Sequence, residues 1–165
     1  MGWLNPYGLL FMTVILIPNL VFALRCRDGF VNLWQNRAVE ALEQIGRFGC
    51  FLLMIVNIPG TWFGFSSRGA FILYLTADSL LTACYCLVWI LRFRRNSLFR
   101  ALALSILPSA VFLLSGLLLR SVPLMLAAAL FAPCHILISV KNARAALNAE
   151  PKGPTPPDLN KKDDG

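Results

Sequence analysis

The chain has 165 residues, 58% of them hydrophobic and only 14% charged, with a mean hydropathy of +0.68. A soluble domain carries roughly 25% charged residues, so this composition excludes an ordinary water-exposed fold and selects a chain that faces lipid. The net charge of +7 would suit a nucleic-acid partner, but the basic residues stand at the ends of apolar runs, where lipid headgroups and membrane topology account for them; no nucleic acid is expected.

A spanning helix needs about 20 mostly apolar residues. The first such run is Tyr7 to Leu24. It lacks a basic segment before it and carries its positive flank after it, so it reads as a retained anchor and not a secretory signal. Residues 29–35, with Phe30, Val31, Leu33 and Trp34, read as a short helix lying on the membrane surface. The second run is Val39 to Ile58, closed by Pro59, and the third is Gly69 to Leu91. The fourth, Leu98 to Leu119, and the fifth, Val122 to Val140, are separated by Arg120 and Ser121 alone. That spacing predicts a tight helical hairpin or one long re-entrant segment.

The charges orient these runs. Arg25, Arg27 and Arg37 follow the first; Arg92, Arg94, Arg95 and Arg100 follow the third; Lys141, Arg144, Lys152, Lys161 and Lys162 follow the fifth. The other two loops hold only Arg68 and Arg120, so one side carries twelve basic residues and the other two. The positive-inside rule then puts the N-terminus out and the C-terminus in. Trp3 and Trp62 fall at the outer interface and Trp89 at the inner one, as an aromatic belt would. The expected fold is all-α: a polytopic membrane helix bundle with five transmembrane helices over residues 1–148, multi-pass in the cell membrane, then a disordered cytoplasmic tail over 149–165 that is rich in Pro, Lys and Asp.

Ionisable residues at membrane depth are rare and usually face a cavity or a partner. In the second run Glu40, Glu43 and Arg47 share a helix face, with Glu43 and Arg47 in the favourable acid-first order. The eight Leu, Ile, Val and Phe residues from Ile45 to Ile58 contribute about −0.3 to −0.6 kcal/mol each, while a central Arg costs about +2.5 to +3.5. The two nearly cancel, so Arg47 is expected to be paired with Glu43, to reach the headgroups, or to serve an anionic ligand. The third run carries Tyr74, Asp78, Thr82 and Tyr85 at helical spacing, and a carboxyl at that depth should be protonated or paired. Asn19 in the first run and His135 in the fifth lie at a depth similar to Arg47. Asn19, Glu43, Arg47 and His135 therefore form one polar layer if their faces meet; Tyr74 and Asp78 belong to the other half. Ser105, Pro108, Ser109, Ser115 and Gly116 in the fourth run suit close helix packing.

The five cysteines, Cys26, Cys50, Cys84, Cys86 and Cys134, form no C-x-x-C pair and read as free, mostly buried thiols. One histidine is too few for a multi-histidine metal site, and no nucleotide-binding or hydrolase motif is present; neither cofactor nor metal is expected. The run Asn5-Pro6-Tyr7-Gly8, the segment from Glu43 to Gly49 and the stretch Ala132-Pro133-Cys134-His135 resemble those of a group of small polytopic bacterial membrane proteins with no assigned activity. That resemblance implies a membrane protein and supplies no mechanism. The reading favoured by the residues is a small transporter or channel, with Glu43, Arg47, Asp78, His135, Asn19 and Tyr74 as its solute-binding residues. It would act in membrane lipid as a homo-oligomer or with a larger membrane partner. The alternatives are a membrane-embedded lipid- or isoprenoid-modifying enzyme and a non-catalytic accessory subunit.

Overall fold

The structure, a computed structural model, describes residues 2–25, 33–93 and 97–149. They form five α-helices: α1 (Pro6–Arg25), α2 (Arg37–Ile55), α3 (Arg68–Arg92), α4 (Leu98–Leu118) and α5 (Val122–Ala149). Three of them start on a side chain that takes up an otherwise free amide. Asn36 accepts from Val39 N at 3.2 Å, Ser67 from Ala70 N at 3.1 Å and Ser97 from Arg100 N at 3.2 Å. α1 starts on Pro6, whose missing N–H is no loss in a first turn.

The helices alternate in direction. Before α1, Asn5 N donates to Ile55 O at the end of α2 (2.8 Å), and Asn57 N donates to Trp3 O (2.8 Å). The α2–α3 loop reaches the α4–α5 turn, where Val122 N donates to Thr61 O (3.2 Å). These segments gather at one end, the N-terminal end of the bundle. At the far end the Phe22 ring of α1 packs 4.9 Å from Trp89 of α3, and Trp34 N donates to Asn142 Oδ1 of α5 (2.8 Å). α2 packs most extensively on α5, α5 on α4 and α4 on α3; α1 closes the ring with lighter contacts to α3 and α2.

Four of the helices, α1, α3, α4 and α5, are long and apolar enough to cross a membrane, which makes this a membrane-embedded protein. α2 falls outside that group because it carries Arg37, Glu40, Glu43 and Arg47. The tight α4–α5 hairpin is present: Leu119 to Ser121 join the two helices, and Arg120 adopts a left-handed backbone (φ 53°) with its guanidinium 5.4 Å from the Phe63 ring. Two boundaries differ from expectation. α2 stops at Ile55, because Val56 is drawn into an antiparallel bridge with Leu4. α5 runs nine residues past Val140, because Lys141 to Ala149 is rich in alanine, the best helix former. The surface helix expected over 29–35 falls partly on residues outside those described; Leu33 to Asn36 are not helical. The tail beyond Ala149 also lies outside them. Of the four described cysteines all are free, but only Cys50 is fully buried, so the expectation of buried thiols holds for that one alone.

Gly8 sets how closely α1 approaches α2: a Cβ there would run into the backbone oxygen of Met54. Because that neighbour is backbone, Gly8→Ala should cost about 1–3 kcal/mol, read as a lower midpoint of thermal unfolding in mild detergent. An unchanged midpoint would mean that α1 can move off α2 freely.

Candidate functional site

Glu43 lies on the face of α2 turned toward α5, with its side chain 3% exposed. Its Oε1 accepts from Arg47 Nε at 3.0 Å and also from Arg47 Nη2. The same oxygen lies 2.9 Å from His135 Nδ1 on α5. A carboxylate already bonded to a guanidinium only accepts, so Nδ1 carries the hydrogen and Nε2 is left as the free ring nitrogen. The Arg47 and His135 side chains are 35% and 22% exposed. Buried Glu43 thus positions two partly exposed side chains from two helices, a guanidinium with N–H groups to spare and an imidazole that presents Nε2.

Close backbone approach makes this geometry. A Cβ on Gly46 would lie 2.8 Å from Phe131 N and 2.9 Å from its Cα, and one on Gly49 would lie 3.2 Å from Ala127 Cβ. Small residues three apart on α2 therefore let the two helices touch, as small residues do at membrane helix interfaces. Phe131 is held there, and His135, one turn further along α5, stacks on its ring at 4.6 Å with 19° between the planes. Phe131 in turn packs on Phe112 of α4 at 5.6 Å. The imidazole is thereby fixed in plane as well as in distance.

Asn19 is not a member of this contact. Its Nδ2 donates to Ile15 O at 2.9 Å, within its own helix, the usual way a polar residue satisfies itself inside a helix. It faces the buried Tyr85 of α3, whose ring packs 6.5 Å from Trp89. Tyr85 was legible on the sequence as the last member of the Tyr74–Asp78–Thr82 stripe, yet nothing in the spacing set it against Asn19.

Tyr74 and Asp78 form a second cluster nearer the N-terminal end. Asn5 Nδ2 donates to the Tyr74 hydroxyl at 3.1 Å, and Ser115 Oγ of α4 donates to Asp78 Oδ2 at 2.5 Å. Asn5, Tyr74, Asp78 and Ser115 are all 0% exposed. Asp78 Oδ1, Thr82 Oγ1 and Asn5 Oδ1 are buried without a hydrogen-bond partner. Ser115, read from the sequence as a packing residue, is the partner that sequence reasoning missed. The other α4 serines bond their own helix: Ser105 Oγ donates to Ala101 O and Ser109 Oγ to Ser105 O. At the far end Arg100 lies between the rings of Phe22 (4.6 Å) and Trp89 (5.0 Å), an arrangement that favours a cation.

Among the described residues no three His, Cys, Asp or Glu side chains come together as metal ligands would. No protein-family model, curated protein or solved structure matches the chain.

Proposed function

We propose that this is a five-span protein of the cell membrane that binds an anionic group at Arg47 and His135, and that it works as a small transporter or channel for an anionic or protonatable solute. The fifth span is α2. Apart from Arg37 in its first turn and the partly exposed Arg47, which is paired with Glu43, its outward residues are Ala38, Ala41, Leu42, Gln44, Ile45, Phe48 and Leu52, none of them charged. A helix with that outward face suits lipid. The twelve-to-two split of basic residues supports N-terminus out and C-terminus in.

The observation that carries the binding site is the single buried Glu43 oxygen that orients both the Arg47 and the His135 side chains. A guanidinium has five N–H groups, and Glu43 occupies those of Nε and one from Nη2. The remainder can meet the oxygens of a phosphate or carboxylate, with His135 lying beside them. In this arrangement the ligand is held by aimed donors, since Glu43 offsets the charge of Arg47. The translocation path runs between protomers or against a partner, because the five short helices close on their own core.

A second reading has a specific observation behind it. A carboxylate that fixes Nδ1–H and leaves Nε2 free prepares an imidazole as general base. This suits a membrane enzyme acting on a phosphate-bearing lipid.

Native mass spectrometry of the protein released from mild detergent, wild type beside Arg47→Ala, tests the binding site. The wild type should carry an anionic small molecule or lipid whose occupancy falls about tenfold or more in the variant, since a charge-assisted hydrogen bond contributes about 1.5–3 kcal/mol. No anionic species on either protein would sink the site and leave the accessory-subunit reading, in which these groups only lock helices together. If one is bound, conversion of it by the wild type but not by His135→Ala separates the enzyme from the transporter.

A further inference from the structure

We propose that the groove between α1 and α3 holds one hydrocarbon chain of an anionic phospholipid, whose headgroup lies at Arg25 at the far end of the bundle. The site is separate from Arg47 and His135 and rests only on α1 and α3 being membrane-embedded helices.

Both helices run from the N-terminal end to the far end, and ring pairs tie them together at two levels. Near the N-terminal end Tyr7 packs 5.4 Å from Phe71 and Phe11 packs 5.8 Å from Tyr74; toward the far end Phe22 packs 4.9 Å from Trp89. Between these levels a groove of about 260 Å³ opens, lined by Leu10 and Val14 of α1 and by Ser79, Ala83 and Cys86 of α3 among others. Two features of the sequence keep it open. Ser79, Ala83 and Cys86 recur at spacings of four and three, which puts three small side chains on one face of α3. Pro18 cannot donate to the carbonyl of Val14, four residues back, so α1 lacks a helical hydrogen bond at this level.

Shape and lining select a lipid chain. The lining is almost wholly apolar, so a polar solute has nothing to bind there. A helix from another protein is about 10–12 Å across with its side chains and cannot enter between two helices that touch above and below the groove. A single hydrocarbon chain is thin enough, and the residues exposed around the mouth, Leu10, Ile17, Leu80 and Leu87, are all apolar. Depth and charge then select the lipid. One leaflet supplies about 15 Å of hydrocarbon. Arg25, exposed in the last turn of α1, is eleven residues from Val14, about 16 Å along the axis. Eleven residues make close to three full turns, so Arg25 stands on the groove's side of α1. A headgroup at Arg25 therefore leaves its chain at the depth of the groove. A second cation adds to the field: the Arg100 guanidinium lies 4.6 Å from the Phe22 ring and 5.0 Å from the Trp89 ring, where α1 and α3 meet at that end. Two positive charges favour a phospholipid of net negative charge over a zwitterionic one.

The test is native mass spectrometry of the full chain in mild detergent, with phosphatidylglycerol or phosphatidylcholine of the same acyl chains added. Wild type should retain one phosphatidylglycerol, at several-fold higher occupancy than phosphatidylcholine. Arg25→Ala should lower that occupancy about fivefold. Ala83→Phe, which puts a ring across the groove, should lower it at least as far. Equal occupancy by the two lipids overturns the proposal, and so does phosphatidylglycerol held as well by Ala83→Phe as by wild type. Loss of the lipid in Arg47→Ala would place it at the other site and also overturn it. Photo-crosslinking decides the position with no variant: phosphatidylglycerol carrying a diazirine in the outer half of one chain should label the peptides that hold residues 10–14 and 79–86. Labelling spread evenly over the lipid-facing helices would mean that lipid surrounds the protein without occupying the groove, and would overturn it.

Discussion

Glu43→Ala should destabilise the bundle by about 3 kcal/mol, and by more than either Arg47→Ala or His135→Ala. One oxygen of Glu43 accepts from both neighbours, so removing it strands a guanidinium and an imidazole together, whereas removing either donor leaves the carboxylate one partner. The figure stays at the lower end of the range for broken buried pairs because Arg47 is 35% exposed and can turn toward headgroups. Glu43→Gln keeps an acceptor oxygen but loses the charge, and should fall between wild type and Glu43→Ala. Unfolding by increasing sodium dodecyl sulfate in mixed micelles gives these differences directly. A double-mutant cycle between Glu43 and His135 should return a coupling above about 0.5 kcal/mol. A coupling of zero, or Glu43→Ala no worse than His135→Ala, would show that the three residues do not act as a unit.

Gly46→Val should have an effect of similar size through packing alone. The Cβ it introduces meets the backbone of Phe131 at 2.8 and 2.9 Å, and backbone on the most extensively packed helix pair cannot turn aside. Overpacking costs about 1–3 kcal/mol and occasionally more; the two further methyls of valine put this substitution at the upper end. Gly49→Ala is the internal control: its Cβ would meet only the Ala127 side chain, at 3.2 Å, so its cost should be clearly smaller. A second consequence separates this mechanism from general damage. Pushing Phe131 away also moves His135 from Glu43, so any ligand lost in Arg47→Ala should be lost in Gly46→Val as well, even in the fraction that remains folded. Retention of the ligand would mean that helix spacing does not set the site.

The site was only half legible in the residues. The Glu43–Arg47 pair followed from its spacing within one helix, where i and i+4 side chains must be neighbours. The depth match of Asn19, Arg47 and His135 was also readable, but equal depth does not decide contact. Asn19 bonds its own helix, whereas His135, 92 residues from Glu43, reaches it. Ser115 shows the same limit from the other side: a serine looks like a packing residue until the helix opposite presents a carboxyl to it.

What the amino-acid sequence determined by itself was the all-helical class, the four long apolar helices and the polar stripe along α3, because hydrophobic length and 3.6-residue periodicity act within one segment. Tertiary structure decided the rest. α2 ended early because Val56 found a backbone partner in Leu4. Which polar groups meet was set by α5 closing on Gly46 and α4 on α3. The physical reason is that a pairing between distant segments depends on the packing of whole helix faces, and that packing is a property of two surfaces together, written in neither segment alone.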